Sequence, residues 1–189
     1  QSTKDSFLVV ANRKHSTQDV KNAIRKAKDA GLKINLHMMP NLPGSTPESD
    51  YQVFKDLFDD PDYRPDMLKI YPCLVVEGTE LYKMWKSGEY KPYSQEDLIK
   101  MIIKVKTEVL EPYVRIQRIQ RDIPADLILD GVRSSNLRQI IDDEMQSKGL
   151  QCRCIRCREE GLQRYLKNKI SNPDNYQINI MEYESSSGK

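Results

Sequence analysis

The chain has 189 residues, enough for one medium-sized domain, and 31% of them are charged against 38% that are hydrophobic. It has no run of about 18 apolar residues, which excludes a membrane-spanning helix, and its polar first residues, QSTKDSF, do not fit a signal peptide, so we expect a cytoplasmic protein with no membrane partner. The net charge of +2 is unevenly spread, since residues 113–170 carry 12 Lys and Arg against 8 Asp and Glu; this clustering weakly indicates a phosphate-bearing partner, and a solvated surface is the alternative.

Hydrophobic spacing predicts helices and strands in alternation up to residue 119. Apolar residues recur every three or four positions in the predicted helices, which are 17–29, 47–58, 79–86 and 94–109. In the predicted strands, apolar residues alternate with polar residues or follow one another without interruption. These strands are 32–38, 67–72 and 113–119. This order is the pattern of a parallel sheet with crossover helices, so we predict an α/β fold. Because three strands cannot close a barrel, we interpret residues 1–122 as the C-terminal half of a βα barrel.

Residues 123–170 are predicted to form a helical linker that contains a cysteine cluster. Leu137, Ile140, Ile141 and Met145 define the apolar stripe of a helix that Gly149 ends. The cysteine-rich stretch LQCRCIRCREEG follows directly. The last residues, 171–189, contain the alternating segment YQINIMEYE, which predicts the first strand of a further domain.

Three of the four cysteines are closely spaced. Cys152, Cys154 and Cys157 form a C-x-C-x-x-C pattern, and a tight turn can direct three such thiols at one ion. Structural zinc takes four Cys or His ligands, so we predict a structural zinc ion, with an iron–sulfur cluster and free thiols as the alternatives. By elimination, Cys73 is the first candidate for the fourth ligand, followed by His37 and by water or a residue outside this chain. The alternative for Cys73 is a small buried side chain at a strand end.

Five stretches of the sequence together resemble one family. In chain order they are AGLKINLHMMPNLPGSTPESD, DMLKIYPCLVVEGTELYKMWKSGEY, VRIQRIQRDIP, GVRSSNLRQI and CRCIRCREEG. They resemble the catalytic subunit of Elongator, in its archaeal or bacterial form, over residues 1–165. The resemblance implies an enzyme that makes 5-carboxymethyluridine at the wobble position of transfer RNA. It also implies a radical S-adenosylmethionine (radical SAM) barrel with a four-iron four-sulfur cluster, and an acetyltransferase-like domain that binds acetyl-CoA.

The same resemblance implies that this chain covers the middle of such an enzyme. The family's cluster-binding three-cysteine motif precedes the region seen here, and CRCIRCR is not its counterpart because it follows the barrel. We expect residues 171–189 to begin the acetyltransferase-like domain and the acetyl-CoA site to lie beyond residue 189. The chain alone is therefore expected to be inactive. The alternative function is a zinc-stabilised RNA-binding module without catalysis.

Loops that follow barrel strands are the expected position of an active site. The loop MPNLPG suits close approach of S-adenosylmethionine, an expectation that rests mostly on the family; a simple turn into the helix that starts at Pro47 is the alternative. Its candidate cofactor-binding residues are Pro40, Asn41, Pro43 and Gly44. Lys69 and Tyr71 share one face of the next strand and are the candidate catalytic residues, because they could bind an anion or orient a base. The alternative is a solvated pair.

Six arginines of the basic segment are candidates for transfer-RNA contact. Three lie on or just after the last predicted strand and three alternate with the cysteines: Arg115, Arg118, Arg121, Arg153, Arg156 and Arg158. A guanidinium group binds phosphate through two parallel hydrogen bonds. Cofactor contact is an alternative for the first three, and an ion pair near Asp122 is an alternative for Arg121. We expect transfer RNA as the partner and leave a homodimer open.

Overall fold

The computed structural model describes residues 1–120, 123–167, 172–182 and 184. Its helices, in chain order, are α1 (Asp5–Val10), α2 (Thr17–Asp29), α3 (Pro47–Asp59), α4 (Glu80–Ser87), α5 (Gln95–Lys104), α6 (Leu137–Ser147), α7 (Ile155–Arg158) and α8 (Glu160–Lys167). Its strands are β1 (Asn35–Met38), β2 (Met67–Ile70), β3 (Val75–Val76), β4 (Arg115–Ile119) and β5 (Ile128–Asp130). A π-helical turn, Val105–Val109, extends α5, and 3-10 turns occupy Ala125–Leu127 and Pro173–Asn175.

A three-stranded parallel sheet organises the fold. Its order is β1-β2-β4, while β3 and β5 pair separately as an antiparallel ribbon. Helix α3 connects β1 to β2, and α4 and α5 lie between β2 and β4 along the chain. This arrangement confirms the predicted α/β class, because parallel neighbours require crossover connections. The half-barrel interpretation stays a prediction.

One face of the sheet is buried against helices and the other is not. Leu68, Ile70 and Ile116 are fully buried in a core that they share with Phe54 of α3 and Ile102 of α5. The residues between them project to the opposite side, since successive strand residues alternate. A bulge in β4, opposite Leu68 and Lys69, skips Gln117 in the register and brings Arg118 to that side as well. On that side Asn35, His37 and Arg118 are exposed, and Met67, Lys69, Arg115 and Gln117 are half-buried. We call this second side the helix-free face.

The predicted helix starts are confirmed by their capping contacts. Ser16 and Thr46 each form a complete capping box, and Pro47 occupies the first turn of α3, where its missing N–H costs nothing. The Ser94 hydroxyl accepts from the backbone N–H of Asp97 and donates to its carboxylate at 2.7 Å. These local contacts explain why α2, α3 and α5 begin within a residue of the predicted positions.

The π-helical turn departs from the predicted continuous helix. The backbone N–H of Leu110 donates to the carbonyl of Val105 at 3.1 Å, an i→i+5 bond that adds one residue to the turn. Lys106 is buried there together with Val105 and Val109. Lys106 follows the buried Ile102 by four residues and the buried Ile103 by three, so the α-helix before the turn already places it on a buried side.

The strand predicted in YQINIMEYE is wrong for its described residues. From Tyr176 to Glu182 the backbone joins no sheet, and the side chains of Ile178 and Ile180 are 94% and 85% exposed. Alternation alone does not make a strand, because the backbone N–H and C=O groups need a neighbouring strand as partner. Among the described residues, no helix has the length and apolar character needed to cross a bilayer.

Candidate functional site

Two loops meet at the carboxyl edge of the parallel sheet. The ladder continues beyond β1 and β2, because Tyr71 N donates to Met38 O and Cys73 N donates to Pro40 O, each at 2.9 Å. We call residues 39–45, which follow β1, the proline loop. Pro40, Asn41 and Pro43 are buried, whereas Gly44 is exposed with a φ of +82° that favours glycine. Of the four candidate cofactor-binding residues, Gly44 alone is therefore open at the surface.

A buried carboxylate fixes the proline loop. Asp50, which is 3% exposed, accepts hydrogen bonds at one oxygen, Oδ2, from Asn41 N at 2.6 Å, the Tyr93 hydroxyl at 2.8 Å and the Ser45 hydroxyl at 3.1 Å. Burial raises the pKa of Asp50, and these three hydrogen bonds oppose that rise. The loop is thus tied to the first turn of α3 by a group that is costly to bury without partners.

Asn41 joins the proline loop to the segment before α5. Its φ of +71° is one that asparagine tolerates better than most residues. The side-chain amide of Asn41 donates to the carbonyl of Tyr93 at 3.2 Å and accepts from its N–H at 3.0 Å. The backbone carbonyl of Asn41 accepts from the Tyr90 hydroxyl at 2.7 Å. These hydrogen bonds therefore hold the proline loop in one conformation.

The sequence analysis missed Asp50, Tyr90 and Tyr93. A usable signal exists for Asp50, which occupies the same stripe of α3 as Val53 and Phe54. An acid at a position that spacing assigns to the core indicates a buried hydrogen-bonding role. No comparable pattern marks the two tyrosines.

Three basic side chains form a row across the helix-free face. The strand register aligns His37 with Lys69, and Lys69 with Arg118. Within the described part of the chain, neither Lys69 nor Arg118 has an ion-pair or hydrogen-bond partner for its side chain. The His37 ring lies 4.3 Å from the ring of Tyr71, centroid to centroid, and Tyr71 is buried. The structure thus brings Lys69 and Arg118, which were predicted for different roles, into one basic row.

The other strand arginines differ from Arg118. Arg115 lies at the amino end of β4 and pairs with Glu159 at 2.8 Å, so its charge is already matched by a carboxylate. Arg121, with the ion pair considered for it near Asp122, lies outside the described residues. Arg118 is consequently the strand arginine best placed to meet an anion.

The three closely spaced cysteines converge. Their sulfur atoms all lie within 4.8 Å of one another. We call residues 152–157 the cysteine turn. It is fixed to the amino end of β4 and to the π-helical turn, because Ile155 N donates to Val114 O at 2.9 Å and Arg153 N donates to Lys106 O at 3.1 Å. Cys154 is fully buried, and Cys152 and Cys157 are half-buried.

The electrostatics of the cysteine turn suit a cation. The neighbouring thiols of Cys152 and Cys157 lower the pKa of Cys154, and the neighbouring sulfurs of Cys154 and Cys157 raise the pKa of Cys152. Three sulfurs that share protons at such short separations are the donor set that a thiophilic ion takes when it displaces those protons. The residues present therefore fit three of the four ligands of a zinc ion.

The prediction that Cys73 is the fourth ligand is wrong. Cys73 follows β2 at the carboxyl edge of the sheet, whereas the cysteine turn meets the amino end of β4. Burial raises the pKa of Cys73 to about 11, and the nearby Tyr90 hydroxyl opposes that rise. His37 is not part of the cluster either, since its ring packs on Tyr71. Elimination failed because two positions that are both near strands can lie at opposite ends of the sheet.

Two arginines in and directly after the cysteine turn, Arg153 and Arg158, donate to backbone carbonyls. Arg158 donates from Nε to the Arg153 carbonyl at 2.8 Å and from Nη2 to the Pro112 carbonyl. Arg153 donates from Nη1 to the Glu108 carbonyl at 3.2 Å. These bonds stabilise the turn, and transfer-RNA contact by Arg153, Arg156 and Arg158 stays a prediction.

Comparison with known proteins gives one consistent result. The radical SAM C-terminal domain family matches residues 65–147. Over 188 residues the chain is 48% identical to the tRNA uridine(34) acetyltransferase of Methanocaldococcus infernus, covering 100% of this chain and 35% of that protein. Over 163 residues it is 42% identical to the Elongator complex protein 3 of Homo sapiens, covering 86% of this chain and 30% of that protein. A solved structure of the M. infernus Elp3 with an N-terminal deletion superposes with a TM-score of 0.93 at 48% identity, covering 98% of this chain and 43% of that one. The chain is similar, over its whole length, to catalytic subunits of the Elongator family.

This similarity confirms the resemblance to the Elongator catalytic subunit seen in the five sequence stretches. The chain spans about a third of the length of the curated family members that it matches. The similarity to the archaeal family member includes the cysteine turn and the proline loop, because it runs over the whole chain.

Proposed function

We propose that the protein carrying this chain modifies the wobble uridine of transfer RNA, forming 5-carboxymethyluridine from acetyl-CoA by radical SAM chemistry. The observation that carries this proposal is the 48% identity, along the whole chain, to a protein named tRNA uridine(34) acetyltransferase. The alternative of a zinc-stabilised RNA-binding module without catalysis is not favoured, because the relatives are named for an enzymatic activity or as Elongator subunits.

In this proposal the cofactors are S-adenosylmethionine, an iron–sulfur cluster whose ligands lie outside this chain, and acetyl-CoA. When bound, the cluster would supply the electron that cleaves S-adenosylmethionine. In this proposal the residues of this chain bind and position the cofactor and the transfer RNA. The proline loop, which Asp50 holds in place, would present Gly44 to a cofactor, and the helix-free face would present the basic row to an anion. The cytoplasm, where transfer RNA is modified, is the proposed location.

The activity can be tested directly by analysis of modified nucleosides. Transfer RNA incubated with the full-length protein, a reductant, S-adenosylmethionine and acetyl-CoA is expected to gain 5-carboxymethyluridine. The 189-residue chain alone is expected to form neither this nucleoside nor 5′-deoxyadenosine, because the proposed cluster ligands are not among its residues. A full-length protein with an intact cluster that leaves the nucleoside unmodified would contradict the proposal.

The basic row is proposed to contact an RNA phosphate. Lys69 and Arg118 lack a carboxylate partner among the described residues, and a cation that is matched by no acid in its own fold is available to an external anion. Changing both to methionine in the full-length protein is expected to weaken transfer-RNA binding. The slope of log affinity against log salt should flatten by about 1.5, since each lost phosphate contact removes about 0.7–0.9.

The matched control removes two charges from the other side of the sheet. Arg25 and Lys26 are exposed on α2, so their double methionine variant changes the net charge equally without touching the helix-free face. Binding titrations at several salt concentrations, with melting curves alongside, compare the two variants. If a folded row variant binds transfer RNA with the control's affinity and slope, the row does not contact phosphate.

A further inference from the structure

Two aromatic rings lie side by side on α4. Tyr82 and Trp85, which we call the aromatic pair, are three residues apart and therefore share one face of the helix. Their ring centroids are 6.2 Å apart and their planes differ by 26°, so the two rings are nearly parallel. Helix α4 thus presents two aromatic planes in similar orientation.

The apolar side of α4 is incompletely covered. Leu81, Tyr82, Met84 and Trp85 are all half-buried, and no residue of α4, all of which the structure describes, is buried. An amphipathic helix of a globular protein normally buries its apolar side in the core. The remaining exposure of the aromatic pair is therefore apolar surface that the described residues do not cover.

The indole ring of Trp85 is held in one orientation by a carboxylate. Its Nε1 donates to Asp130 of β5 at 2.8 Å. Because Nε1 is the only hydrogen-bonding group of an indole, the ring has only its faces left to offer a ligand. A ring that is already fixed also loses little conformational entropy when a ligand stacks on it. Recognition at this position is therefore by stacking and not by hydrogen bonds.

The end of α4 is connected to the proline loop through one residue. Tyr90 donates from its N–H to the carbonyl of Met84, in the last turn of α4, at 3.1 Å. Its hydroxyl donates to the Asn41 carbonyl of the proline loop at 2.7 Å. The aromatic pair therefore lies at the carboxyl edge of the sheet, which is where open α/β sheets bind their ligands.

The ribbon that carries Asp130 lies against the same edge. A Cβ added to Gly131 would be 3.2 Å from the carbonyl oxygen of Cys73, so the two backbone segments are in close contact. The N–H of Cys73 in turn donates to the Pro40 carbonyl at 2.9 Å. The Trp85 ring is thus connected to the proline loop both through its own helix and through its hydrogen-bond partner.

The surroundings of the aromatic pair have no positive excess. Glu80 pairs with Lys83 at 2.9 Å, and the Lys86 ammonium lies 5.7 Å from the centroid of the Tyr82 ring. Residues 77–91 contain three acids and three lysines, and Asp130 adds a further acid. Phosphate binding depends on an excess of cations, whereas an uncharged nucleobase stacks on an aromatic ring. The aromatic pair therefore suits a base and not a phosphate.

We propose that the aromatic pair stacks an unpaired base of the transfer-RNA anticodon loop beside the proline loop. This inference rests on the proposed action on transfer RNA. The stacking accepts any base, because every base has a π-face. Tyr82 and Trp85 are accordingly binding residues that hold a base, while the basic row neutralises phosphate. Stacking of one base on an aromatic side chain typically contributes about 5–150-fold in affinity.

The test combines changes in the protein with changes in the RNA. Full-length protein, as wild type, Trp85→Leu or Tyr82→Leu, is titrated with transfer RNA and with a series in which each anticodon-loop base in turn is replaced by an abasic residue. In the wild type, one abasic position is expected to weaken binding about fivefold or more. Each variant is expected to bind the complete RNA more weakly by a similar factor and to lose nothing further at that position.

A purely structural role gives a different result. If Trp85 only packs the ribbon against α4, the losses from the protein change and from the abasic residue multiply at every position, and the stacking site is overturned. Tyr82→Leu decides the matter even if Trp85→Leu does not fold, since the hydrogen bond to Asp130 belongs to Trp85.

Tyr51→Leu is the matched control. Tyr51 is also a half-buried tyrosine beneath a lysine, with the Lys104 ammonium 4.3 Å from its ring centroid, but it lies on α3. This variant is expected to bind every RNA of the series as the wild type does. An equal loss in Tyr51→Leu, with the same dependence on the abasic position, would overturn the assignment to the aromatic pair.

Salt dependence separates base stacking from phosphate contact. The variants of the aromatic pair are expected to keep the wild-type slope of log affinity against log salt, because stacking releases no counterion. Loss of one phosphate contact would instead flatten the slope by about 0.7–0.9, and such a result would overturn the proposed stacking.

Failure of the stacking site can be told apart from failure of the proposed function. A wild-type protein that modifies the wobble uridine, but whose variants show no dependence on any abasic position, refutes the stacking site alone. A wild-type protein that neither binds nor modifies transfer RNA refutes the proposed function, and the stacking site with it.

Discussion

Replacing Cys154 by serine is expected to abolish metal binding and to destabilise the cysteine turn. Cys154 is fully buried at the start of α7, and its sulfur lies within 4.8 Å of both other sulfurs. A serine hydroxyl stays protonated at neutral pH and is a poor ligand for zinc. The zinc content of the purified chain should fall from about one per chain to nearly none. The melting temperature should fall as well, since an ion bound at 100 times its dissociation constant stabilises the fold by about 2.7 kcal/mol.

Cys73→Ser is the matched control, because its thiol is also buried but lies at the other edge of the sheet. It is expected to keep the full zinc content, whatever it costs in stability. Elemental analysis of both variants, purified without added metal, gives the comparison. A Cys154→Ser chain with undiminished zinc would show that the three sulfurs are not the ligand set.

Asp50→Ala is expected to destabilise the protein by about 3 kcal/mol and to release the proline loop. The change orphans three donors at once, namely Asn41 N and the hydroxyls of Ser45 and Tyr93. A buried donor left without a partner costs about 1–3 kcal/mol, and relief of the buried charge offsets part of the sum. Chemical unfolding measures the loss, and hydrogen exchange at Asn41 reports the loop.

Asp59→Ala is the control on the same helix, because Asp59 is 58% exposed and its ion pair with Lys55 spans one helical turn. Its expected cost is a few tenths of a kcal/mol. Asp50→Asn adds a pH test. Since burial raises the pKa of Asp50 above the ordinary 3.8, the wild type loses stability from this group as the pH rises through the folded pKa. The deficit of Asp50→Asn should therefore be larger at acidic pH than at neutral pH, and an equal deficit at both would contradict a raised pKa.

Much of the fold could be predicted because its signals are local. Helix starts at Thr46 and Ser94 depend on residues three positions apart, and strands such as 67–70 depend on neighbours in sequence. The three-thiol cluster was predictable for the same reason, since its ligands lie within six residues. Interactions between residues that are close in sequence can be predicted without knowing the rest of the structure.

The parts that could not be predicted depend on pairs that are distant in sequence. Tyr93 reaches Asp50 across 43 positions, and Lys106 reaches Asp142 across 36. Cys73 was assigned by counting cysteines, and no count shows which edge of a sheet a residue occupies. The segment from Tyr176 has a correct strand pattern but no strand partner among the described residues. In each case the deciding interaction is a long-range contact.

The π-helical turn has a consequence for reading related genes. Its i→i+5 bond holds one residue more than an α-helical turn, so deletion of a single codon between Lys106 and Leu110 would let the segment continue as an ordinary α-helix. Lys106 would keep its buried place, because it follows the buried Ile102 by four residues and therefore shares its helix face. A gap of one residue between Lys106 and Leu110 in an aligned homologue thus marks the loss of the π-helical turn and not the loss of the buried lysine.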